Sequence, residues 1–218
     1  VESTGRKVYQ YLNERGLQLN KLTKVLKEIT SWIIIFGLAL ILSALINSLI
    51  FAMATVKEVS MQDTLYADQK LVINRLSYRS KTPKTGDIIV FYQSREIGSF
   101  PQEFIRSVKN IIPFIKSDKE IRDRLVKRVI GTPGDVVDIK DGYVYLNGER
   151  LDEPYVKGTT YEGIIDLPIT VGKNQLFVMG DNREQSMDSR DFGPIDISHV
   201  EGKATLRIYP ISKLGKIK

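Results

Sequence analysis

Hydrophobic and polar positions change rhythm several times along the chain, and each change predicts a different kind of element. Leu12, Leu19, Leu22, Val25, Leu26 and Ile29 recur at helical spacing, interleaved with Arg15, Lys21, Lys24 and Lys27, which predicts a basic amphipathic helical segment over residues 1–31. It reads either as a helix lying on a membrane surface or as a plain helical run-in to the apolar stretch after it. Residues 32–56, "WIIIFGLALILSALINSLIFAMATV", contain no ionisable side chain. A helix of that length, at 1.5 Å per residue, exceeds the hydrocarbon core of a bilayer, about 30 Å thick, and is predicted to span it.

Beyond residue 56 the period shortens to two. "KLVIN", "DIIVFY", "LVKRVI", "DVVDI", "GYVYLN", "QLFVM" and "KATLRIY" alternate or run apolar between turn signals, which predicts a β-rich domain over residues 57–218. Asp141-Gly142 and Asn147-Gly148 supply the positive φ that tight hairpins need, so "IKDGYVYLNGERL" reads as consecutive hairpins. One stretch breaks the rhythm: over residues 97–121, Phe100, Phe104, Ile105, Val108, Ile111, Ile112, Phe114 and Ile115 stand among Arg106, Lys109 and Lys116 at roughly helical spacing. It predicts an insertion that either grips lipid or packs on the domain.

Orientation follows from charge. The lysines and the arginine ahead of the span place the N-terminus in the cytoplasm and residues 57–218 outside, since charges in a long following domain count little. A cleavable secretory signal has a shorter apolar centre than this one; "AMA" at residues 52–54 nonetheless resembles a processing site. The net charge of +6 is compatible with nucleic acid, an acidic partner or anionic lipid, and the apolar run favours lipid.

Composition removes several chemistries. With no cysteine in 218 residues, a thiol nucleophile, a thiolate metal site and a disulfide framework are all excluded. A single histidine, His199, excludes the paired-histidine zinc motifs and leaves one histidine as base for any Ser-His-Asp triad. Serine needs a base to become a nucleophile, which directs attention to lysines and carboxylates. A lysine serves only when burial lowers its pKa from about 10.4, so the candidate is one embedded in an apolar strand. "RLVKRVIG" offers Lys127, flanked in alternation by Leu125 and Val129, while Arg128 alternates with Val126 and Ile130. Periodicity leaves open which face is inward; arginine stays protonated and is no base.

Three ordered stretches carry a resemblance. Ser60-Met61 followed by Thr64-Leu65, "KRVIGTPGD" at residues 127–135 and "MGDNREQSMDSRDFGPI" at residues 179–195 resemble the three sequence boxes of bacterial type I signal peptidases. "NGERLDEPYV" at residues 147–156 is similar to that family too. The resemblance runs from the span to about Tyr209. It implies a mainly β extracytoplasmic catalytic domain of signal peptidase type behind one N-terminal transmembrane helix, single-pass in the bacterial cell membrane. It implies Ser60 as nucleophile and Lys127 as general base, with Ser186 orienting Lys127 and Asp181, Asp188 and Arg190 supporting the site. The implied partners are signal peptides of exported preproteins and the lipid bilayer. No cofactor, metal or nucleic acid is implied.

The first box departs from the family pattern. Where a small residue and a glycine-like residue usually precede the serine, this chain has Glu58 and Val59; Asp63 stands where proline is common, and residues 93–127 are longer than expected. A carboxylate beside a developing oxyanion would oppose it. A catalytically weak or inactive relative that binds or assembles surface proteins is therefore the alternative to an active peptidase. A self-cleaving regulator with a Ser/Lys site is disfavoured by the span and by the lack of a helix-turn-helix pattern.

Overall fold

The computed structural model describes residues 2–93, 97–111 and 124–217 of the chain. By internal contacts the chain separates into two units, Val1–Ala44 and Leu45–Lys218.

Helix α1, Glu2–Leu49, begins in the first unit and ends in the second. It runs without a break, so the basic segment is a helical run-in continuous with the apolar one. Its section Gln18–Leu49 is long and apolar enough to cross a membrane. Trp32, Ile33, Ile34 and Phe36 are exposed along it, which a water-soluble helix would avoid.

The expected span ends early. Residues 51–55, read from sequence as its last turns, form an edge strand, β1 (Phe51–Thr55). β1 pairs antiparallel with β2 (Lys70–Asn74) from Phe51 opposite Asn74 to Thr55 opposite Lys70. Hydropathy summed over a window cannot separate apolar strand from apolar helix, but alternation can: Ala54 is buried while Phe51, Met53 and Thr55 are exposed. The Ala52 to Ala54 site lies within this paired strand.

The remaining strands follow the period-two runs. β3 (Ile88–Tyr92), β4 (Arg124–Gly131), β5 (Val136–Lys140) and β6 (Tyr143–Leu146) precede a short β7 (Glu149–Arg150) and β8 (Ile169–Thr170). Then come β9 (Gln175–Met179), β10 (Ile195–Asp196), β11 (Val200–Tyr209) and β12 (Gly215–Lys216). Asp141, Gly142, Asn147 and Gly148 all take positive φ, closing the β5–β6 and β6–β7 hairpins in the left-handed conformation their turns require. Among the described residues there are two further α-helices: α2 (Phe100–Ile111), inside the expected insertion, and the single-turn α3 (Ser189–Phe192). Ile112, Phe114, Ile115 and Lys116 lie outside the described residues.

The strands form two antiparallel sheets. The larger runs β1-β2-β11-β3-β4-β9-β10, with β12 added to β11, and the smaller runs β7-β6-β5-β8. The larger sheet curls, because Arg124 Nη1 on β4 donates to the Met53 carbonyl on β1 at 3.2 Å although three strands separate them in the sheet. Both faces are covered. Ile88 and Val90 of β3 pack with Met61, Leu65 and Ile73 in one cluster, and Ile89 and Phe91 pack with Leu125, Val129 and Leu176 in another. A third cluster, including Ile130, Val137, Val144 and Phe177, joins the smaller sheet to the larger. Being covered on both sides, β4 buries both of its central basic residues, with Lys127 1% and Arg128 3% exposed.

Candidate active site

The site forms where three stretches far apart in sequence meet: the turn after β1, the middle of β4 and the loop from β9 to α3. Residues 57–69 leave β1 and return to β2, closed by the Val56 N–H donating to Gln69 O and the Asp68 N–H donating to Val56 O, both at 2.9 Å. Ser60 sits at the start of a tight turn in this loop, 5% exposed. Met61 behind it is buried in the core and anchors the turn. The helix ends at Leu49, so β1 stands between it and Ser60, and the serine lies farther from the helix end than a span ending at residue 56 would put it.

The loop after β9 grips this turn by its backbone. The Asn182 N–H donates to Ser60 O at 3.0 Å, and Asn182 Nδ2 donates to Val59 O at 3.1 Å. The carbonyls of Val59 and Ser60 are therefore both held, while among the described residues the Ser60 N–H has no acceptor. Gly180 makes the approach possible: a Cβ there would collide with the Ser186 side chain and the Ser60 carbonyl. A glycine with no side chain lets Ser186 and Ser60 share that space.

Lys127 comes from β4 and Ser186 from the β9–α3 loop, and Lys127 Nζ donates to Ser186 Oγ at 2.9 Å. It makes no hydrogen bond to Ser60 Oγ; the Gly180 packing is what brings Ser60 and Ser186 together. Catalytic hydrogen bonds often close only once substrate is bound. Burial pushes the Lys127 amine below the ordinary lysine range. The charges of Asp188 and then Glu58 oppose that, Arg190 reinforces it, and Asp191 opposes it more weakly. Loss of hydration is thus the dominant influence, the physical means by which a lysine becomes a base.

Asp188 is kept from neutralising Lys127 by a closer partner. Its carboxylate accepts from Arg190 Nε at 2.8 Å and Nη2 at 2.9 Å, and from the Gly180 N–H at 2.9 Å. Burial would raise its pKa, but the hydrogen bonds and charge of Arg190, with the Gly180 N–H, outweigh burial and hold it below the usual carboxylate range. Asp188 also caps α3 in a reciprocal capping box with Asp191, fixing the loop that carries Ser186. Arg190 Nη2 donates onward to the carbonyls of Arg183 at 2.8 Å and Ser186 at 3.3 Å.

Asp181 turns to the other basic residue of β4. Arg128 makes a two-pronged pair with it, Nε to Oδ1 at 2.8 Å and Nη2 to Oδ2 at 2.7 Å, and stacks on Tyr155 with its guanidinium carbon 3.7 Å from the ring centre. Thr64 donates to the same carboxylate. One ion pair thus ties all three boxes together without touching Lys127. Arg183, fully buried, is a second brace: it donates to Gly180 O and Thr160 and pairs with Glu153 of the "NGERLDEPYV" stretch.

Ser60, Lys127, Asp181, Ser186, Asp188 and Arg190 therefore gather in one place. The sequence gives no site role to Asn182, Arg128, Arg183 or Thr64, although all four lie within the three boxes. Glu58 is exposed beside the site, and its charge reaches Lys127.

The sequence is similar to known proteins over most of its length. The family profile described as "Signal peptidase, peptidase S26" matches residues 29–209. Signal peptidase IB of Staphylococcus aureus (strain COL) is 31% identical over 203 residues, covering 86% of this chain and 93% of that protein. A probable signal peptidase I-2 of Synechocystis is 32% identical over 178 residues, covering 81% of this chain and 72% of that one. A solved signal peptidase I from Enterococcus faecalis aligns with 57% of this chain and 98% of its own, at 29% identity and a TM-score of 0.39. The match spans the apolar run from Trp32, every strand but β12 and every stretch that meets around Ser60, and the chain is a member of the peptidase S26 family of signal peptidases.

Proposed function

We propose that this chain is a membrane-bound serine endopeptidase that removes signal peptides from exported preproteins, with Ser60 as nucleophile and Lys127 as general base. The observation that carries this reading is a lysine amine, buried and without a carboxylate partner, held by Ser186 beside the turn that presents Ser60. Ser60 Oγ attacks the scissile carbonyl carbon as Lys127 Nζ takes its proton. The carbonyl oxygen becomes an oxyanion facing the Ser60 N–H, whose flanking carbonyls Asn182 holds still. The Lys127 ammonium then protonates the leaving amine as the C–N bond breaks. Water, deprotonated by Lys127, attacks the acyl-enzyme carbonyl, and the Lys127 ammonium returns the proton to Ser60 Oγ as the ester C–O bond breaks.

Residues 32–49 of α1 would anchor the chain once across the bacterial membrane, with residues 1–31 cytoplasmic and the β domain outside. Its substrate's signal is itself a membrane helix, so tethering both to one bilayer confines the search to nearly two dimensions. Glu58 favours a second, attenuated form of the reading, because its negative charge stabilises the protonated lysine and would repel the oxyanion.

The test is cleavage of a preprotein with an Ala-x-Ala site by the protein in liposomes. Ser60→Ala and Lys127→Met are each expected to abolish it. Undiminished cleavage by either variant rejects the dyad, and inertness of the parent protein rejects the enzyme in favour of a binding role.

A further inference from the structure

Helix α2 is turned inside out. Glu103 and Ser107, one turn apart, are buried, while Phe100, Ile105 and Val108 are 46%, 55% and 40% exposed; a helix on the surface of a water-soluble domain does the reverse. The polar side is held by charge. Glu103 accepts from the Gly98 N–H at 3.3 Å and lies 3.7 Å from Arg75 Nη1. Arg75 in turn donates from Nη1 to Ser48 O at 3.3 Å in the last turn of α1, and from its backbone N–H to Ile50 O at 2.9 Å. Arg75 also pairs with Glu201, which pairs with Arg124 at 2.6 Å. Arg124 is the residue that reaches Met53 O. Ion pairs between two buried glutamates and two half-buried arginines thus fix α2 at the place where the apolar helix gives way to β1. Phe51 and Met53 of β1 and Leu76, next to Arg75, are exposed at the same place.

An apolar helix face exposed to water costs about 25 cal/mol per Å², and this one is fastened where α1, read as the membrane span, ends. We infer that α2 is an interfacial helix whose Phe100, Ile105 and Val108 side chains sit in the lipid headgroup–acyl boundary, giving the catalytic domain a second membrane contact beside its span. The occupant is lipid rather than protein because α2 is fastened beside the end of α1, whose residues 32–49 carry no ionisable side chain, and because Glu103, the acid of its first turn, is withdrawn into the domain. The inference rests on the membrane-bound reading above. An interfacial helix fixes the tilt of the domain on the bilayer, which a single flexible tether would not.

Trp32 is the one tryptophan in the chain, which permits a direct test. Proteoliposomes of phosphatidylcholine and phosphatidylglycerol brominated high on the acyl chains would carry the parent, or a Trp32→Phe background bearing Ile105→Trp or, as control, Tyr143→Trp on the smaller sheet. The Ile105→Trp emission is expected to be quenched about twofold by the bromines, as burial in the interface requires, and the Tyr143→Trp emission to be unchanged. Quenched Trp32 with unquenched Ile105→Trp overturns the inference and leaves the membrane span standing; unquenched Trp32 brings down the span itself. Ile105→Trp shielded from aqueous acrylamide yet untouched by bromine assigns the face to protein and equally overturns it. Ile105→Ser combined with Val108→Ser is expected to slow preprotein cleavage in vesicles about fivefold while cleavage of a short peptide in detergent is unaffected; equal rates for variant and parent in vesicles would count against the helix.

Discussion

Strand β4 buries two neighbouring basic residues on opposite faces and treats them in opposite ways. Arg128 is given a full carboxylate, the two-pronged Asp181, with an aromatic ring beneath it. Lys127 is given a hydroxyl, and the nearby carboxylate of Asp188 is claimed by Arg190. The first face holds a permanent cation and makes it structural; the second leaves an amine beside a hydroxyl, its charged form disfavoured by burial against the opposing charges of Asp188 and Glu58. Burial alone does not create a base, since both side chains are equally hidden. What differs is the partner.

The sharpest way to break this comparison is to exchange the two environments. Lys127→Arg buries a cation that cannot be neutralised beside a mere hydroxyl and is expected to abolish cleavage and destabilise the domain together. Lys127→Met is expected to lose at least about 10³ in kcat, within the range for removing a general base, while keeping or raising the melting temperature. Calorimetry alongside cleavage assays separates the two variants, and a destabilised Lys127→Met would contradict a neutral amine.

Arg128→Met is the converse. It strands Asp181 in the interior, with an expected loss of about 3–5 kcal/mol for breaking a buried pair, read by urea denaturation. A change below about 1 kcal/mol would place the pair among weakly contributing surface bridges and undo the contrast.

Asn182→Ala should be milder and purely catalytic. Removing the side-chain half of the clasp on Val59 and Ser60 is expected to lower kcat about tenfold, a fraction of what a direct oxyanion donor contributes, with KM and the melting temperature little changed. An equal loss in folding stability would mean the clasp only holds the loop.

The smallest expected effect concerns pH. Protonation of Lys127 removes the base, so cleavage should fall as pH drops through the lysine's depressed pKa, on the acid side of the ordinary lysine range. Glu58 favours the ammonium, hence Glu58→Gln should move that limb to lower pH and raise activity at neutrality. Because Glu58 is exposed, the displacement should shrink as salt is added; a limb that moves upward, or stays fixed at low ionic strength, would show that its charge does not reach the amine.

How much of this could be read from the chain differs from element to element. Strands with a covered face announce themselves by period two, and the Asp141-Gly142 and Asn147-Gly148 turns by residues that tolerate positive φ. β1 was hidden because its apolar residues continue those of the helix before it. The inverted polarity of α2 was hidden because spacing locates a helix's faces without saying which neighbour each will meet. Within the site, Ser60 and Lys127 are ordinary residues until the resemblance joins them, and alternation alone could not choose between Lys127 and Arg128, for a sheet covered on both sides has two insides. Asn182 stands inside the third box, yet nothing in the sequence tells its role: it acts on backbone carbonyls, which every residue possesses.

The five residues of β1 act as a ruler. Extended chain advances about 3.3 Å per residue, so they set Ser60 on the order of 15 Å further along than the last turn of α1. A substrate helix that ends at the same depth must present a comparable uncoiled stretch before its scissile bond. The enzyme would thus measure its preproteins against the layout of its own polypeptide, and lengthening β1 by one pair of residues should move the cut site rather than merely slow the cut.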